Sequence, residues 1–312
     1  MRAAYPIAIV LSLIAIAGCA HGGKEHANMT KQLIIVCDME GASGIFERNK
    51  KELWHGSPEW RAQGRKRLTS DVAAVCQAAN ECGIDDILIY DGHYAGDEEP
   101  NLIMENLPAN ARLFDTYHRC FDWRRIRGQA QQQPYGLVTV GQHARSGEPD
   151  AYFPHTIQTP PIAEVRLNGI HIAEIGQGVV SFSGVKYVAN IGCNASMKEA
   201  RELVPSVVAI PVKDKAKGWE PSPEETFPLI KEGVAQALRD IDKRQAFDID
   251  GPCTFSMKVT DGYKFQLPDS LSWQGTMRAD EATWEAPSAE MGLEIFNYVR
   301  ACIVNVDTSN EK

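Results

Sequence analysis

The sequence predicts an α/β protein: a three-layer unit with a mostly parallel central sheet, plus a smaller α/β portion at the C-terminus. Three observations carry this. Residues 33–37 (LIIVC), 86–90 (DILIY) and 136–140 (GLVTV) are near-continuous apolar runs without in–out alternation, the mark of strands buried on both faces. Between the first two lies a stretch of helical spacing, and strand–helix–strand order calls for a right-handed crossover and parallel pairing. With 312 residues, 44% hydrophobic and 23% charged, the chain has material for one large domain or two of usual size.

Taken in order, residues 33–37 are the first buried strand. Residues 58–82 carry Leu68, Val72, Val75 and Ala79 on one helical face, and Gly83 stops the helix. Strands at 86–90 and 136–140 follow. Residues 163–167 and 170–175 flank Asn168-Gly169, the dipeptide suited to a two-residue turn, and read as an antiparallel hairpin. A strand at 185–191, a helix at 196–204 capped by Ser196, and a strand at 207–212 come next. Then come an amphipathic helix at 222–242, a strand at 253–259 and a closing helix at 289–303. The charged, turn-rich stretch 213–223 is where a second portion is expected to begin, and Lys213 to Lys217 reads as a solvated turn.

The N-terminus reads as an export signal. Arg2 precedes the apolar run 7–17 (IAIVLSLIAIA), too short to span a bilayer comfortably, and the run ends in Ile16-Ala17-Gly18-Cys19. That ending resembles the lipobox of bacterial lipoproteins and implies a lipid on Cys19, hence an exported protein anchored to the membrane. Ala20, in place of Asp, resembles the outer-membrane sorting pattern, which puts the chain on the periplasmic side. A plain secretory signal and a start at Met29 are the two other readings. Besides Cys19 there are seven cysteines, an odd number with no C-x-x-C, and Cys37, Cys76, Cys193 and Cys302 sit in apolar segments. They read as core residues rather than a disulfide framework. The net charge of −9 argues against a nucleic-acid partner.

Four segments put acids or histidines where a strand ends or inside one, the place where open α/β sheets gather their sites. Val36-Cys37-Asp38-Met39-Glu40-Gly41 places two carboxylates on one face if the chain stays extended. Such a pair repels unless a positive charge lies between, and a metal ion is one solution; solvated or helix-capping acids are another. Tyr90-Asp91-Gly92-His93 and Gly141-Gln142-His143 each bring a histidine to a strand end. Glu174 stands among apolar neighbours in what reads as a strand, where an unpaired carboxylate would be costly. His155 follows in a loop. Imidazole with carboxylate suits zinc better than magnesium or calcium. His171 reads as facing away from Glu174, His55 and His118 as surface residues, and Trp54, Trp60 and Trp123 as packing or groove-lining aromatics.

DMEGASG (38–44), GQHAR (141–145) and AEVRLNGIHIAEIG (163–176) together resemble the D-aminopeptidases of the DppA type, metallopeptidase family M55. The resemblance implies two zinc ions per subunit held by Asp38, Glu40, His93, His143 and Glu174. Asp38 would bridge, with Glu40 and His93 on one ion and His143 and Glu174 on the other, and His155 would act in catalysis. It also implies hydrolysis of short peptides bearing D-amino acids at the N-terminus, by metal-activated hydroxide, in a homo-oligomer. The expected organisation is a signal peptide at 1–18, a tether at 19–30, a metal-binding α/β domain at 31–215 and a C-terminal α/β portion at 216–312. Here Asp91-Gly92-His93-Tyr94 replaces the family's D-S-H-G, and an acidic insertion (Asp97-Glu98-Glu99) precedes Asn101-Leu102. Two readings of other kinds stand beside this one: a lipid-anchored peptide- or metal-binding protein without turnover, and another metal-dependent amide or ester hydrolase.

Overall fold

A computed structural model describes residues 30–93, 99–115, 123–157, 161–249, 251–266 and 275–306. The expected signal peptide, nearly all of the tether, Cys19, Asp97, Glu98, His118 and Cys120 lie outside the described residues, as does the Trp123 side chain.

The chain runs through β1 (Gln32–Cys37), α1 (Arg65–Glu81), β2 (Asp86–Asp91), β3 (Ala111–Leu113), α2 (Trp123–Gln129) and β4 (Gly136–Gln142). Then come β5 (Ile162–Leu167), β6 (Ile170–His171), α3 (Glu174–Ser181), β7 (Tyr187–Cys193), α4 (Ser196–Leu203), β8 (Val208–Lys213) and α5 (Pro223–Arg239). The remainder is β9 (Cys253–Val259), β10 (Tyr263–Phe265), β11 (Gly275–Met277), β12 (Glu281–Ala286), α6 (Ala289–Ala301) and β13 (Ile303–Asn305).

Six strands form one parallel sheet in the order β3-β2-β1-β4-β7-β8. The apolar run of β1 is explained by its two neighbourhoods. Leu33, Ile35 and Cys37 share a core with Leu68, Val72 and Val75 of α1 and with Ile230 and Val234 of α5. Ile34 and Val36 share the opposite core with Val179 and Val180 of α3 and with Phe255, Trp284 and Phe296. Burying such side chains contributes roughly 1.5–3 kcal/mol each, so a strand apolar on both faces holds the layers together. A second, antiparallel sheet, β11-β12-β9-β5-β6, closes over α6, with the Phe255 and Trp284 rings stacked at 5.3 Å. β10 and β13 pair separately.

The expected three-layer α/β unit is therefore present, and its sheet is parallel throughout. The sheets do not divide the chain near residue 215. The β5–β6 hairpin crosses into the antiparallel sheet, whereas α5 packs on the parallel one. The hairpin turns at Asn168 (φ 49°) and Gly169 (φ 82°), as that dipeptide predicts.

Its second arm is shorter than expected. β6 ends at His171 and Glu174 begins α3, because Ile172, Ile175, Gly176 and Val179 also fit helical spacing and that face docks on the sheet. Ser196 is the first helical residue of α4 and not its cap; its hydroxyl donates to the Cys193 carbonyl at 2.8 Å. The helix expected to run to residue 242 ends at Arg239, followed by a short 3-10 turn. β3, α2, α3, β10, β11, β12 and β13 were not foreseen. The six described cysteines are free thiols, five of them buried.

Where β1, β4 and β7 end, backbone meets backbone. A Cβ on Gly41 would lie 2.0 Å from the Gln142 carbonyl oxygen, and one on Gly192 would lie 2.1 Å from the same atom. No side chain fits there. Gly41→Ala must push apart the loops carrying Glu40 and His143, and should cost roughly 2–3 kcal/mol in denaturant unfolding of the metal-free protein.

His171 is half-buried beside Arg166, its partner across the hairpin. Burial first, then the Arg145 and Arg166 cations, push its pKa down to about 4 against the pull of Glu164 and Glu202. The unfolded chain takes a proton near pH 6.5 that the folded chain refuses. This contribution leaves stability intact above about pH 6.5 and erodes it as pH falls towards about 4. In metal-free protein, His171→Gln should show a smaller loss of unfolding free energy between pH 7.5 and 4.5 than the parent chain.

Candidate metal centre

The six residues singled out from sequence come together at one end of the parallel sheet. Asp38 and Glu40 follow β1, His93 follows β2, His143 follows β4, and Glu174 opens α3. The strand order reverses direction between β1 and β4, which leaves a crevice beyond their carboxyl ends. Backbone bonds fix the floor of that crevice: the Asp38 amide donates to the Val140 carbonyl at 2.9 Å, and the Gly92 amide to the Cys37 carbonyl at 2.8 Å. Asp38, His93 and His143 are buried, while Glu40, Glu174 and His155 are more open. Asp38 and Glu40 do not converge by strand alternation, since β1 ends at Cys37; a turn brings them round.

Each histidine has one ring nitrogen committed to a backbone carbonyl. That nitrogen must be the donor, because a carbonyl only accepts. His93 Nε2 donates to Leu53 O at 2.9 Å, His143 Nδ1 to Ala144 O at 2.9 Å, and His155 Nδ1 to Phe153 O at 2.8 Å. The opposite nitrogens then face carboxylates. His93 Nδ1 lies 3.2 Å from Asp38 Oδ1 and 3.1 Å from Glu40 Oε2. His143 Nε2 lies 3.2 Å from Asp38 Oδ2 and 3.6 Å from Glu174 Oε2. The two oxygens of Asp38 thus point at two different imidazoles. His155 Nε2 lies 3.7 Å from Glu174 Oε1, and its ring stacks on His143 at 3.8 Å between centroids. Its loop is strained, with Phe153 at φ 53° and Ile157 at φ 63°, the second a β-branched residue where such values are rare.

Electrostatics point the same way. Burial opposes charge on both His93 and His143, yet the carboxylates beside them outweigh it and hold both well above the ordinary histidine range. Burial alone would raise Asp38; His143 and His93 instead hold it well below the usual carboxylate range. Three buried atoms here, Glu40 Oε2, His143 Nε2 and Glu174 Oε2, have no hydrogen-bond partner among the described residues. Imidazole nitrogens aimed at carboxylates, with carboxylate oxygens left orphaned, are what a bound cation would complete by displacing the ring protons. Ligand atoms within 4.8 Å of one another form two groups, Asp38–Glu40–His143 and His143–His155–Glu174. Nitrogen and oxygen donors in this mixture suit zinc.

Two supporting residues escaped the sequence reading. Asn101 is buried and central to the His93 loop. Its side chain accepts from Trp60 Nε1 at 2.8 Å and donates to Asp91 and to the His93 carbonyl, while its amide donates to Asp91 at 2.7 Å. The Asn-Leu landmark after the acidic insertion was the available signal. The other is Lys213, expected in a solvated turn and found fully buried. The β7–β8 register slips between Gly192 and Cys193, so that an extra residue in β8 turns the lysine inward.

Other expectations change as well. His55 is half-buried rather than at the surface, bonded to the Glu99 carbonyl at 2.7 Å and packed on Trp60. Trp60 is core and cannot line a groove; Trp54 is 50% exposed. Arg145, the cation nearest the site in sequence, is held by Glu202 at 2.9 Å.

Comparisons with known proteins bear on the fold and the family. The zinc-dependent D-aminopeptidase DppA from Bacillus subtilis, a self-compartmentalizing protease, superposes with a TM-score of 0.66 at 19% identity. The match covers 86% of this chain and 98% of that one, and at this identity the likeness is one of fold. No curated protein matches by sequence. A family model, Peptidase_M55, described as D-aminopeptidase, matches residues 32–300. The chain belongs to that family and is a metallo-aminopeptidase.

Proposed function

We propose that the chain is a dinuclear zinc aminopeptidase for short peptides with a D-residue at the N-terminus. The observation that carries this is the commitment of one nitrogen on each of three histidines to a backbone carbonyl, which turns the other towards carboxylates. Asp38 would bridge the ions, with Glu40 and His93 on one side and His143 and Glu174 on the other. The aimed nitrogens at 3.1–3.6 Å from those oxygens support that division. Zinc held there supplies Lewis acidity, lowering the pKa of water and polarising a carbonyl.

The protein's own groups do the rest. His155 is oriented by the Phe153 carbonyl and offers Nε2 at the open side of the site, placed to hand a proton to the departing amine. Glu174 Oε1 lies 3.7 Å from that nitrogen. The substrate's amino terminus would meet a metal or the remaining oxygen of a site carboxylate, which limits removal to one residue at a time. Preference for D-residues rests on the family's description, and a homo-oligomer on the self-compartmentalizing neighbour. Export and anchoring through Cys19 rest on the lipobox-like segment. Phosphoester cleavage is the weaker reading, because Arg145 is already neutralised by a glutamate.

Residues 20–312 incubated with D-Ala-D-Ala should release alanine with zinc and not after chelation, with little release from L-Ala-L-Ala. Cleavage of the L-peptide alone would overturn the D-specific reading. Metal analysis should give two zinc ions per subunit. His155→Gln should lower kcat by about 10²–10⁴ and keep both ions; loss of one ion instead would make His155 a ligand. In cells, the full chain should fractionate with membranes, and Cys19→Ser should abolish the lipid-bearing form detected by mass spectrometry.

A further inference from the structure

The loop that carries Asp38 and Glu40 has no regular secondary structure, yet it must hold two carboxylates against their mutual repulsion. It is held from beneath by two buried charged residues. Lys213 Nζ donates to the carbonyls of Glu40 at 2.6 Å, Ala42 at 2.9 Å and Ile45 at 2.6 Å. An ammonium has three protons, and all three are spent on this one loop. The rings of Tyr152 and Phe46 flank the ammonium at 5.4 and 5.7 Å. Asp71 of α1, also fully buried, accepts from the Ser43 amide at 2.8 Å, and Thr226 of α5 donates to the Ser43 hydroxyl at 2.7 Å. An unpaired buried ammonium is costly, so a lysine at this depth is tied to the carbonyls it serves.

We propose that Lys213 is a positioning residue for the metal centre, setting the Glu40 half of the site before metal arrives. The inference rests on the dinuclear reading. Glu40 is bonded to Lys213 through its own carbonyl, so its backbone cannot move without breaking that bond. Glu174, on α3, has no such tie to Lys213. Asp38, shared by both sides, keeps its own amide bond to the Val140 carbonyl at 2.9 Å, so loss of the lysine acts on the Glu40–His93 side and spares the His143–Glu174 side.

The test is zinc titration of the metal-free full-length chain against a chromophoric chelator, with cobalt(II) spectra alongside. The parent should bind two ions. Lys213→Met should bind one with parental affinity and the other about 10- to 100-fold more weakly, with altered cobalt bands. Val234→Ala, a core truncation in α5, should keep both affinities and the parental spectrum. Amides 41, 42, 43 and 45 should be protected from hydrogen exchange in the metal-free parent. Parental affinity at both sites in Lys213→Met overturns the proposal, as does equal weakening of both sites or the same change in Val234→Ala. If Lys213→Met does not fold, Lys213→Gln replaces it. Rapid exchange of the loop amides in metal-free parent, slowed only by zinc, overturns the proposal without any variant. A parent that binds fewer than two ions overturns the dinuclear reading itself, a separate result.

Discussion

Three carboxylates and two buried imidazoles share one small volume at the end of a parallel sheet, and the neutralisation of that charge governs the rest of the architecture. Asp38, Glu40 and Glu174 repel at this range unless positive charge lies among them. In the metal-free protein His93 and His143 supply it by holding protons well above the ordinary histidine range. A metal ion would supply it more strongly and would satisfy the orphaned atoms. Proton and metal thus compete for the same nitrogens. The carbonyls of Leu53 and Ala144 make that competition clean, because they leave each of those rings only one nitrogen to offer.

The site demands rigidity, and the fold provides it with few regular elements. The loops that carry these acids and histidines lie beyond the strands, so sheet hydrogen bonds cannot hold them. Close backbone contact at Gly41 and Gly192 sets their spacing, and buried polar side chains do the rest. Asn101 and Asp91 fasten the His93 loop; Lys213 and Asp71 fasten the Glu40 loop. Such groups are costly to bury, and full hydrogen bonding is what offsets the cost. The Glu40 and His93 backbone is anchored in this way, whereas Glu174 stands on the first turn of α3 and His155 in a strained loop.

Much of this was legible in the chain. Residues 33–37, 86–90 and 136–140 could be read as buried strands because a parallel sheet covered on both sides demands unbroken apolar runs. Asp38, His93 and His143 could be placed at the ends of those strands because a strand's end is marked by where its apolar run stops. The Asn168-Gly169 turn was equally plain, since its backbone conformation suits few other dipeptides. Glu174 was singled out as a candidate site residue but assigned to the wrong element. The segment 172–180 satisfies both periods, and only docking against β4 and α6 selects the helix.

Sequence alone thus determined which acids and histidines meet and which strands bring them to one end of a sheet, because both follow from local composition and its period. Tertiary structure decided what lies beneath and around them. The inward turn of Lys213 depends on a register slip between β7 and β8, a relation between residues about twenty apart with no local signature. The tautomers of the three histidines depend on carbonyls that arrive from elsewhere in the fold or from a loop's own curvature. The partition of the chain between two sheets depends on where the β5–β6 hairpin finds its partner, β9, some ninety residues away. Long-range pairing of this kind is set by the complementarity of whole surfaces, which no short window of sequence contains.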